Sequence, residues 1–208
     1  MRVKLSVAVA VMVACGAFVF AQGERPASPA GSAATQVGGK YVKGAEGDVY
    51  QGGKWIEITY GRPIKRGRDL WGSGENYGKL VTGGAPVWRA GANASTRLRS
   101  EVPLVIAGKT VAPGEYSLFI DLKSNNWTLI VSSWPHQKTY DPKNKQELWG
   151  SYGYTPDKDV VRAPMTLGTL PFSMDQLTWA FLDVTDAGGK LAIMWDKVVA
   201  TVPFTVGP

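Results

Sequence analysis

The sequence predicts an all-β fold, an antiparallel β-sandwich of the jelly-roll kind, present as a single domain after a signal peptide. Three observations support this prediction. Apolar and polar residues alternate along several short segments, turn residues separate these segments, and beyond the first 21 residues only residues 143–148 could form a turn of helix. Alternation of this kind is typical of strands that bury one face, and frequent turns without intervening helices favour antiparallel sheets.

The first 21 residues have the composition of a signal peptide. Arg2 and Lys4 precede an apolar run over residues 5–20, and a small-x-small pattern ends at Ala21. This order of charge, apolar run and small residues is typical of an export signal. We therefore expect a mature chain that starts near Gln22, is located in the periplasm or outside the cell, and has no transmembrane segment.

Cys15 is the only cysteine of the chain. A lipoprotein attached through Cys15 is the alternative to a cleaved signal, but residues 16–20 stay apolar where a lipidated chain normally turns polar. Cleavage after Ala21 would leave no thiol and no disulfide, so the core alone would stabilise the domain. The net charge of +6 is small for a nucleic-acid-binding protein, and export argues against that partner as well.

Two parts follow the signal. Residues 22–39 are rich in Ala, Ser, Pro and Gly and lack periodicity, which predicts a flexible tether. Residues 40–208 are long enough to bury one core, and we expect them to form the single β-sandwich domain. The first clear strand lies at residues 56–60, where apolar and polar side chains alternate.

The middle and the end of the domain have the same alternating pattern. Turn residues at 107–109, 113–114 and 123–126 separate alternating segments, which predicts a meander of strands. A further turn at residues 186–190 joins two more strands. In chain order, these strands are expected at residues 102–106, 116–122, 127–131, 177–181, 191–195 and 198–204.

Two long segments interrupt the strands. Residues 61–86 are basic and glycine-rich, and residues 133–157 carry many aromatic side chains. Loops longer than about 12 to 15 residues are usually functional or disordered, and this aromatic content argues against disorder. Because arginine presents a rigid fork to carboxylate, phosphate or sulfate, and Trp and Tyr can stack on sugar rings, we expect the loops to bind an acidic or neutral saccharide or another anionic envelope component. The candidate ligand-binding residues are Arg62, Arg68, Trp71, Trp88, Arg89, Asn93, Trp134, Trp149 and Tyr152.

The histidine and cysteine content argues against most enzyme classes. His136 is the only histidine, so a cluster of His ligands around a metal is excluded and a Ser-His-Asp triad would have to use this residue. A mature chain without cysteine has no thiolate site either. The sequence therefore predicts no catalytic residue, no metal and no cofactor, and favours a non-enzymatic binding protein.

Two other functions remain open. A carbohydrate-active hydrolase would need two carboxylates about 5 to 9.5 Å apart in one cleft. A structural module of an envelope assembly would instead bury Trp88, use Arg89 to bridge loop carbonyls, and pair Arg62 and Arg68 with nearby carboxylates. The carboxylates considered for these roles are Asp69, Glu75, Glu101, Asp121, Asp183 and Asp196.

The order of the motifs resembles that of one bacterial family. The motifs are Thr59-Tyr60-Gly61-Arg62-Pro63, Trp71-Gly72, Val87-Trp88-Arg89-Ala90-Gly91-Ala92-Asn93 and Pro113-Gly114-Glu115-Tyr116-Ser117-Leu118-Phe119. Over residues 49–204, the chain resembles the exported family catalogued as domain of unknown function 2911. This resemblance implies an exported, mostly β domain and brings no activity. Ala94 stands where the family has an acidic residue, which argues against any role that needs a carboxylate beside Asn93.

Overall fold

A computed structural model describes residues 26–207 of the protein. The expected signal peptide at residues 1–21, with Cys15, lies outside the described residues. Two antiparallel sheets enclose one main hydrophobic core, and this arrangement confirms the antiparallel β-sandwich. No helix within residues 26–207 has the length and apolar character needed to cross a membrane.

Twelve strands make up the described part of the chain. They are β1 (Ala30–Val37), β2 (Lys40–Gly44), β3 (Gly47–Gln51), β4 (Lys54–Gly61), β5 (Thr96–Ser100), β6 (Leu104–Ile106), β7 (Lys109–Val111), β8 (Gly114–Lys123), β9 (Asn126–Ser132), β10 (Asp159–Pro164), β11 (Thr166–Thr185) and β12 (Gly188–Val206). The larger sheet has the order β1-β4-β5-β8-β9-β10, and the smaller one has the order β11-β12-β6-β7. Strands β2 and β3 form a separate hairpin.

The main core is built by the alternation that the sequence shows. In β4, Ile56, Ile58 and Tyr60 are buried while Thr59 is exposed. Every strand of the two sheets contributes at least one buried apolar residue, and the two inner faces meet in one cluster. The strands expected at residues 102–106, 116–122, 127–131, 177–181, 191–195 and 198–204 are confirmed as parts of β6, β8, β9, β11 and β12.

A second, smaller cluster lies on the outer face of the larger sheet. Phe119 and Ile130 are opposite each other in β8 and β9, and each alternates with residues of the main core. Leu148 and Tyr154, from the loop between β9 and β10, cover these two side chains together with Val87. The aromatic loop is therefore ordered and packed on the sheet, as its composition indicated.

The tether prediction for residues 22–39 is wrong over much of its length. Ala30–Val37 is strand β1, which pairs with β4 in continuous register from Ala30 opposite Gly61 to Val37 opposite Lys54. Except for Val37, β1 contains only small or polar side chains, so it has no apolar periodicity to detect. Its backbone hydrogen bonds to β4 define it as a strand, and the sandwich begins at β1 rather than at residue 40.

The segment after β4 is bound to the smaller sheet before it reaches a short helix. The Lys65 amide donates to the Asp175 carbonyl at 2.7 Å, and the Leu177 amide donates to the Pro63 carbonyl at 3.0 Å. The Lys65 ammonium also lies 2.6 Å from the Asp196 carboxylate. The only α-helix among residues 26–207 is α1 (Lys79–Thr82), and the turn of helix considered for residues 143–148 is absent.

Four tryptophans contact one another where this segment enters the core. Trp71, Trp88, Trp127 and Trp195 have ring centroids 4.7 to 6.2 Å apart, and the rings of Trp88 and Trp195 are nearly parallel at 14°. The Trp127 indole donates to the Tyr77 hydroxyl at 2.7 Å. The Trp71 Nε1 is buried and has no hydrogen-bond partner among the described residues.

Candidate functional site

The small residues that follow Trp88 form a tight, largely buried turn. The Trp88 amide and carbonyl both bond to Ile120 of β8 at 2.8 Å, so this residue extends the sheet and its indole is only 1% exposed. The next residue, Arg89, therefore lies on the opposite side of the backbone from the core. Trp88, a candidate ligand-binding residue, is therefore buried in the core, as the structural alternative expects.

The turn after Arg89 brings two backbone segments into close contact. Ala90 and Asn93 both have left-handed backbone angles, with φ of 53° and 64°. A Cβ on Gly91 would lie 2.8 Å from the Thr96 hydroxyl, and one on Gly61 would overlap the Ala92 carbonyl. Small residues are thus required where the loop crosses the end of β4, and the left-handed residues store backbone strain of a kind common at functional sites.

Arg89 is a half-buried cation without an acidic partner. Its Nη1 donates to the Asn93 carbonyl at 2.5 Å, and its guanidinium carbon lies 5.1 Å from the centre of the Tyr152 ring. No carboxylate of residues 26–207 lies within ion-pair distance of Arg89. Burial lowers the pKa of the Arg89 guanidinium, because removal from water disfavours the charged form. The Asn93 carbonyl and the Tyr152 side chain are therefore its polar contacts among residues 26–207, and neither is negatively charged at neutral pH.

Arg68 lines the same cavity as Arg89. Its Nε and Nη2 donate to the carbonyls of Lys65 and Ile64 at 2.9 and 2.6 Å, which fix the side chain, and its guanidinium carbon is 5.9 Å from the Trp195 ring. We call this cavity of about 290 Å³ the arginine cavity. Its lining includes Ser28, Arg68, Trp88, Arg89, Asn93 and Trp195, and none of its lining residues carries a carboxylate.

A second cavity adjoins the first at Ser28 and Asn93. Its volume is about 330 Å³, and Arg97, His136 and Lys138 line it, again without a carboxylate. The Asn93 side-chain amide donates to the Ser28 carbonyl at 3.2 Å, so the N-terminal segment crosses between the two cavities. We call this second space the histidine cavity.

The charges of the histidine cavity are partly compensated. Arg97 donates to the Ser117 hydroxyl at 2.7 Å and lies 3.7 Å from Glu115, while its buried Nε has no partner in residues 26–207. Burial, and then the charge of Arg97, lower the pKa of His136. His136 is therefore half-buried rather than fully solvated, and its surroundings favour the neutral imidazole.

The remaining predicted site residues do not lie in the arginine cavity. Arg62 is half-buried and its Nε donates to the Leu177 carbonyl at 3.4 Å. Trp134 packs on the outer cluster, with the Lys158 ammonium 3.7 Å from its ring. Trp71 belongs to the tryptophan cluster, and Trp149 and Tyr152 line a further cavity in the aromatic loop.

Within residues 26–207, neither Arg62 nor Arg68 forms the surface ion pair that the structural alternative expects. Both bond to backbone carbonyls instead, and the Asp69 carboxylate accepts from the Trp71 and Gly72 amides at 3.3 and 3.1 Å. Arg68 finds its acceptors three and four positions earlier, whereas the acceptor of Arg62 lies in β11, and neither guanidinium gains an opposite charge from these bonds.

Most of the carboxylates considered for hydrolysis are engaged elsewhere. Asp121 pairs with Arg162 at 2.8 Å and Asp183 pairs with Lys190 at 2.7 Å. The hydrogen bond from Lys65 lowers the pKa of Asp196. None of these carboxylates lines the arginine or the histidine cavity, and no group of three His, Cys, Asp or Glu residues between residues 26 and 207 is placed to hold a metal ion.

Comparison with known proteins gives a family and no activity. The model of a family described as a protein of unknown function, DUF2911, matches residues 44–204. The chain belongs to this family. No curated protein and no solved structure gives a significant match. In this DUF2911 protein, the family match contains Arg68, Arg89 and Trp195 but not Ser28, which precedes the matched residues.

Sequence reasoning missed several residues of the two cavities. Ser28 falls in the stretch read as a tether, and Trp195 reads as an ordinary core residue of an alternating strand. Arg97 is one of two arginines in β5, and no feature of the sequence shows that it lies beside His136. The lone histidine in an aromatic loop was a usable signal for His136, although it did not identify its neighbours.

Proposed function

We propose that this protein is an exported, non-catalytic binding protein whose arginine cavity holds an anionic group of a ligand. The favoured ligand is an acidic saccharide of the cell envelope. The observation that carries the proposal is the pair of Arg68 and Arg89 in one cavity that no carboxylate lines. The amino-terminal sequence supports export independently.

The charge balance of the cavity favours an anion. A partly buried guanidinium loses hydration without gaining an opposite charge, and Arg89 has only one carbonyl acceptor. A carboxylate or sulfate would supply the missing charge and accept two parallel hydrogen bonds from the arginine fork. The cavity of about 290 Å³ is at the lower end of the size of small-molecule sites, which suits a single sugar residue.

The aromatic walls of the cavity suit a saccharide better than a bare ion. Trp88 and Trp195 line the cavity next to the two arginines. Both indoles are almost completely buried, at 1% and 4% exposed, so they form an apolar floor that a sugar ring can cover while the guanidinium groups hold its acid group. A free inorganic anion would use the arginines alone.

The experiment compares acidic and neutral sugars. Isothermal titration calorimetry of the mature protein with glucuronate and galacturonate oligomers should show binding that weakens with added salt, whereas the matched glucose oligomers should bind less tightly. Arg89→Met and Arg68→Gln should each weaken uronate binding by at least about tenfold. The matched control is Arg99→Gln, because Arg99 is exposed on β5 and lies 3.5 Å from Glu57, outside the cavity lining.

Two outcomes would overturn the proposal. One is that no uronate, sulfate or phosphate probe binds the folded protein. The other is that Arg89→Met and Arg68→Gln bind the uronates as tightly as the unchanged protein does. Export is tested separately by amino-terminal sequencing of the protein recovered from the cell envelope, where a start near Gln22 is expected and an intact amino terminus would contradict it.

A further inference from the structure

A separate cavity in the loop between β9 and β10 combines exposed aromatic rings with carboxylates. Tyr140 and Tyr152 are 59% and 49% exposed, and the rings of Tyr140 and Trp149 lie 5.6 Å apart at 51°. Asp141 and Glu147 also line this space of about 250 Å³. We call it the aromatic cavity. Large side chains that remain exposed in an ordered loop, grouped around one concave surface, indicate a binding site.

The loop that carries this cavity is internally fixed. The buried Gln137 side chain donates to the carbonyls of Asn144 and Glu147 at 3.0 Å each and accepts from the Asp141 amide at 2.8 Å. Leu148, in the same loop, is anchored in the outer cluster on the sheet. The backbone that carries the aromatic rings is therefore fixed before any ligand binds, which lowers the entropy cost of binding.

The polar groups of the cavity offer acceptors. Asp141 Oδ1 accepts from the Lys143 amide, and Glu147 Oε2 accepts from the Asn144 side chain, each at 2.9 Å. No bond to the other oxygen of either carboxylate is found among residues 26–207. These oxygens can accept hydrogen bonds from hydroxyl groups, and their negative charge disfavours an acidic ligand.

We propose that the aromatic cavity binds a neutral sugar ring. The ring stacks on Tyr140 and Trp149, and its hydroxyls donate to Asp141 and Glu147. An organic cation fits less well, because Lys145 lines the same cavity and the Arg89 guanidinium lies 5.1 Å from the Tyr152 ring.

Tyr152 connects this cavity with the arginine cavity. Its hydroxyl donates to the carbonyl of Gly83 at 3.2 Å, and Gly83 lines the arginine cavity. The Tyr152 ring lines the aromatic cavity and also contacts the Arg89 guanidinium. The ligand is then an oligosaccharide with a neutral residue next to an acidic one. This joint occupation rests on the function proposed above, whereas the neutral subsite does not.

The test uses two variants with opposite expected effects. Saturation-transfer difference NMR with methyl glucoside, methyl galactoside and methyl mannoside should detect binding of at least one neutral sugar to the unchanged protein. Tyr140→Ala should weaken neutral-sugar binding by at least about tenfold and leave glucuronate binding unchanged. Arg89→Met should weaken glucuronate binding by at least about tenfold and leave neutral-sugar binding unchanged. Tyr140→Phe keeps the stacking face and should keep the affinity.

The control and the contrary outcomes separate the two proposals. Tyr41→Ala removes a tyrosine of the β2–β3 hairpin that is even more exposed, at 73%, and this variant should bind like the unchanged protein. The neutral subsite is refuted if none of the three glycosides binds, if Tyr140→Ala binds them normally, or if choline binds in their place. If the neutral glycosides bind the unchanged protein and glucuronate does not, the function proposed for the arginine cavity is refuted and the neutral subsite is supported.

Discussion

Replacing Arg89 by methionine distinguishes a binding residue from a structural one. The substitution removes one charge-assisted hydrogen bond to the Asn93 carbonyl, a contribution of about 1.5 to 3 kcal/mol, and a contact with the Tyr152 ring of about 0.5 to 1 kcal/mol. It also removes the cost of keeping an unpaired guanidinium partly out of water, and methionine retains much of the aliphatic packing. We therefore expect the free energy of unfolding to fall by only about 1 to 2 kcal/mol.

A structural role predicts a larger loss. Breaking a buried ion pair costs about 3 to 5 kcal/mol, because the remaining partner stays buried and charged, but Arg89 has no acidic partner within residues 26–207. Urea denaturation at pH 7, followed by far-UV circular dichroism, measures the difference. Arg99→Met, at an exposed position, should change the free energy by less than about 0.5 kcal/mol. If Arg89→Met lowers the free energy of unfolding by more than about 3 kcal/mol, and the fraction that folds binds uronate normally, Arg89 is a structural residue and not a binding residue.

Three further predictions concern residues around the cavities. Gly150→Ala should weaken anion binding without removing a charge, because a Cβ at this position overlaps the Arg89 guanidinium. The control is Gly153→Ala, since Gly153 has a similar φ but a Cβ there meets only a Leu148 methyl at 3.6 Å. This variant should keep the affinity in the same titration. The pKa of His136 is lowered from its ordinary value of 6.5, so near and below that pH the unfolded chain binds more protons than the folded one. The free energy of unfolding should therefore fall as the pH drops from 7 to 5, and it should fall less in His136→Gln. Urea titrations that give both proteins the same dependence of this free energy on pH would contradict the prediction. Trp71→Phe deletes a buried N–H that has no partner among residues 26–207, whereas Trp127→Phe leaves the Tyr77 hydroxyl without its donor. Trp71→Phe should therefore lower the free energy of unfolding by about 1 to 2 kcal/mol less than Trp127→Phe does. Equal losses in thermal unfolding would contradict this prediction.

The strands that the sequence predicts well are those with a buried and an exposed face. Ile56, Ile58 and Tyr60 alternate with polar residues and lie in β4, whereas β1 has almost no large apolar side chain and escapes the same reasoning. A strand such as β1 is defined by backbone bonds to its neighbour, and a sequence pattern does not report those bonds. Periodicity detects burial and not pairing.

The candidate site was predictable in part. The small residues after Arg89 indicate a close backbone approach, and the structure has one between Gly61 and Ala92. The aromatic partner of Arg89 comes from a remote segment, because Tyr152 lies 63 positions after Arg89 in the chain. Such contacts depend on how the loops pack on the sheets, and residue types alone cannot specify that packing.

The tryptophan cluster gives this protein a built-in optical reporter. The parallel rings of Trp88 and Trp195, with centroids 6.1 Å apart, are close enough for their electronic transitions to couple and to produce a paired signal in the near-ultraviolet circular dichroism. Both rings also line the arginine cavity. A ligand that enters the cavity would change that coupling directly, so occupancy can be followed on the unlabelled protein.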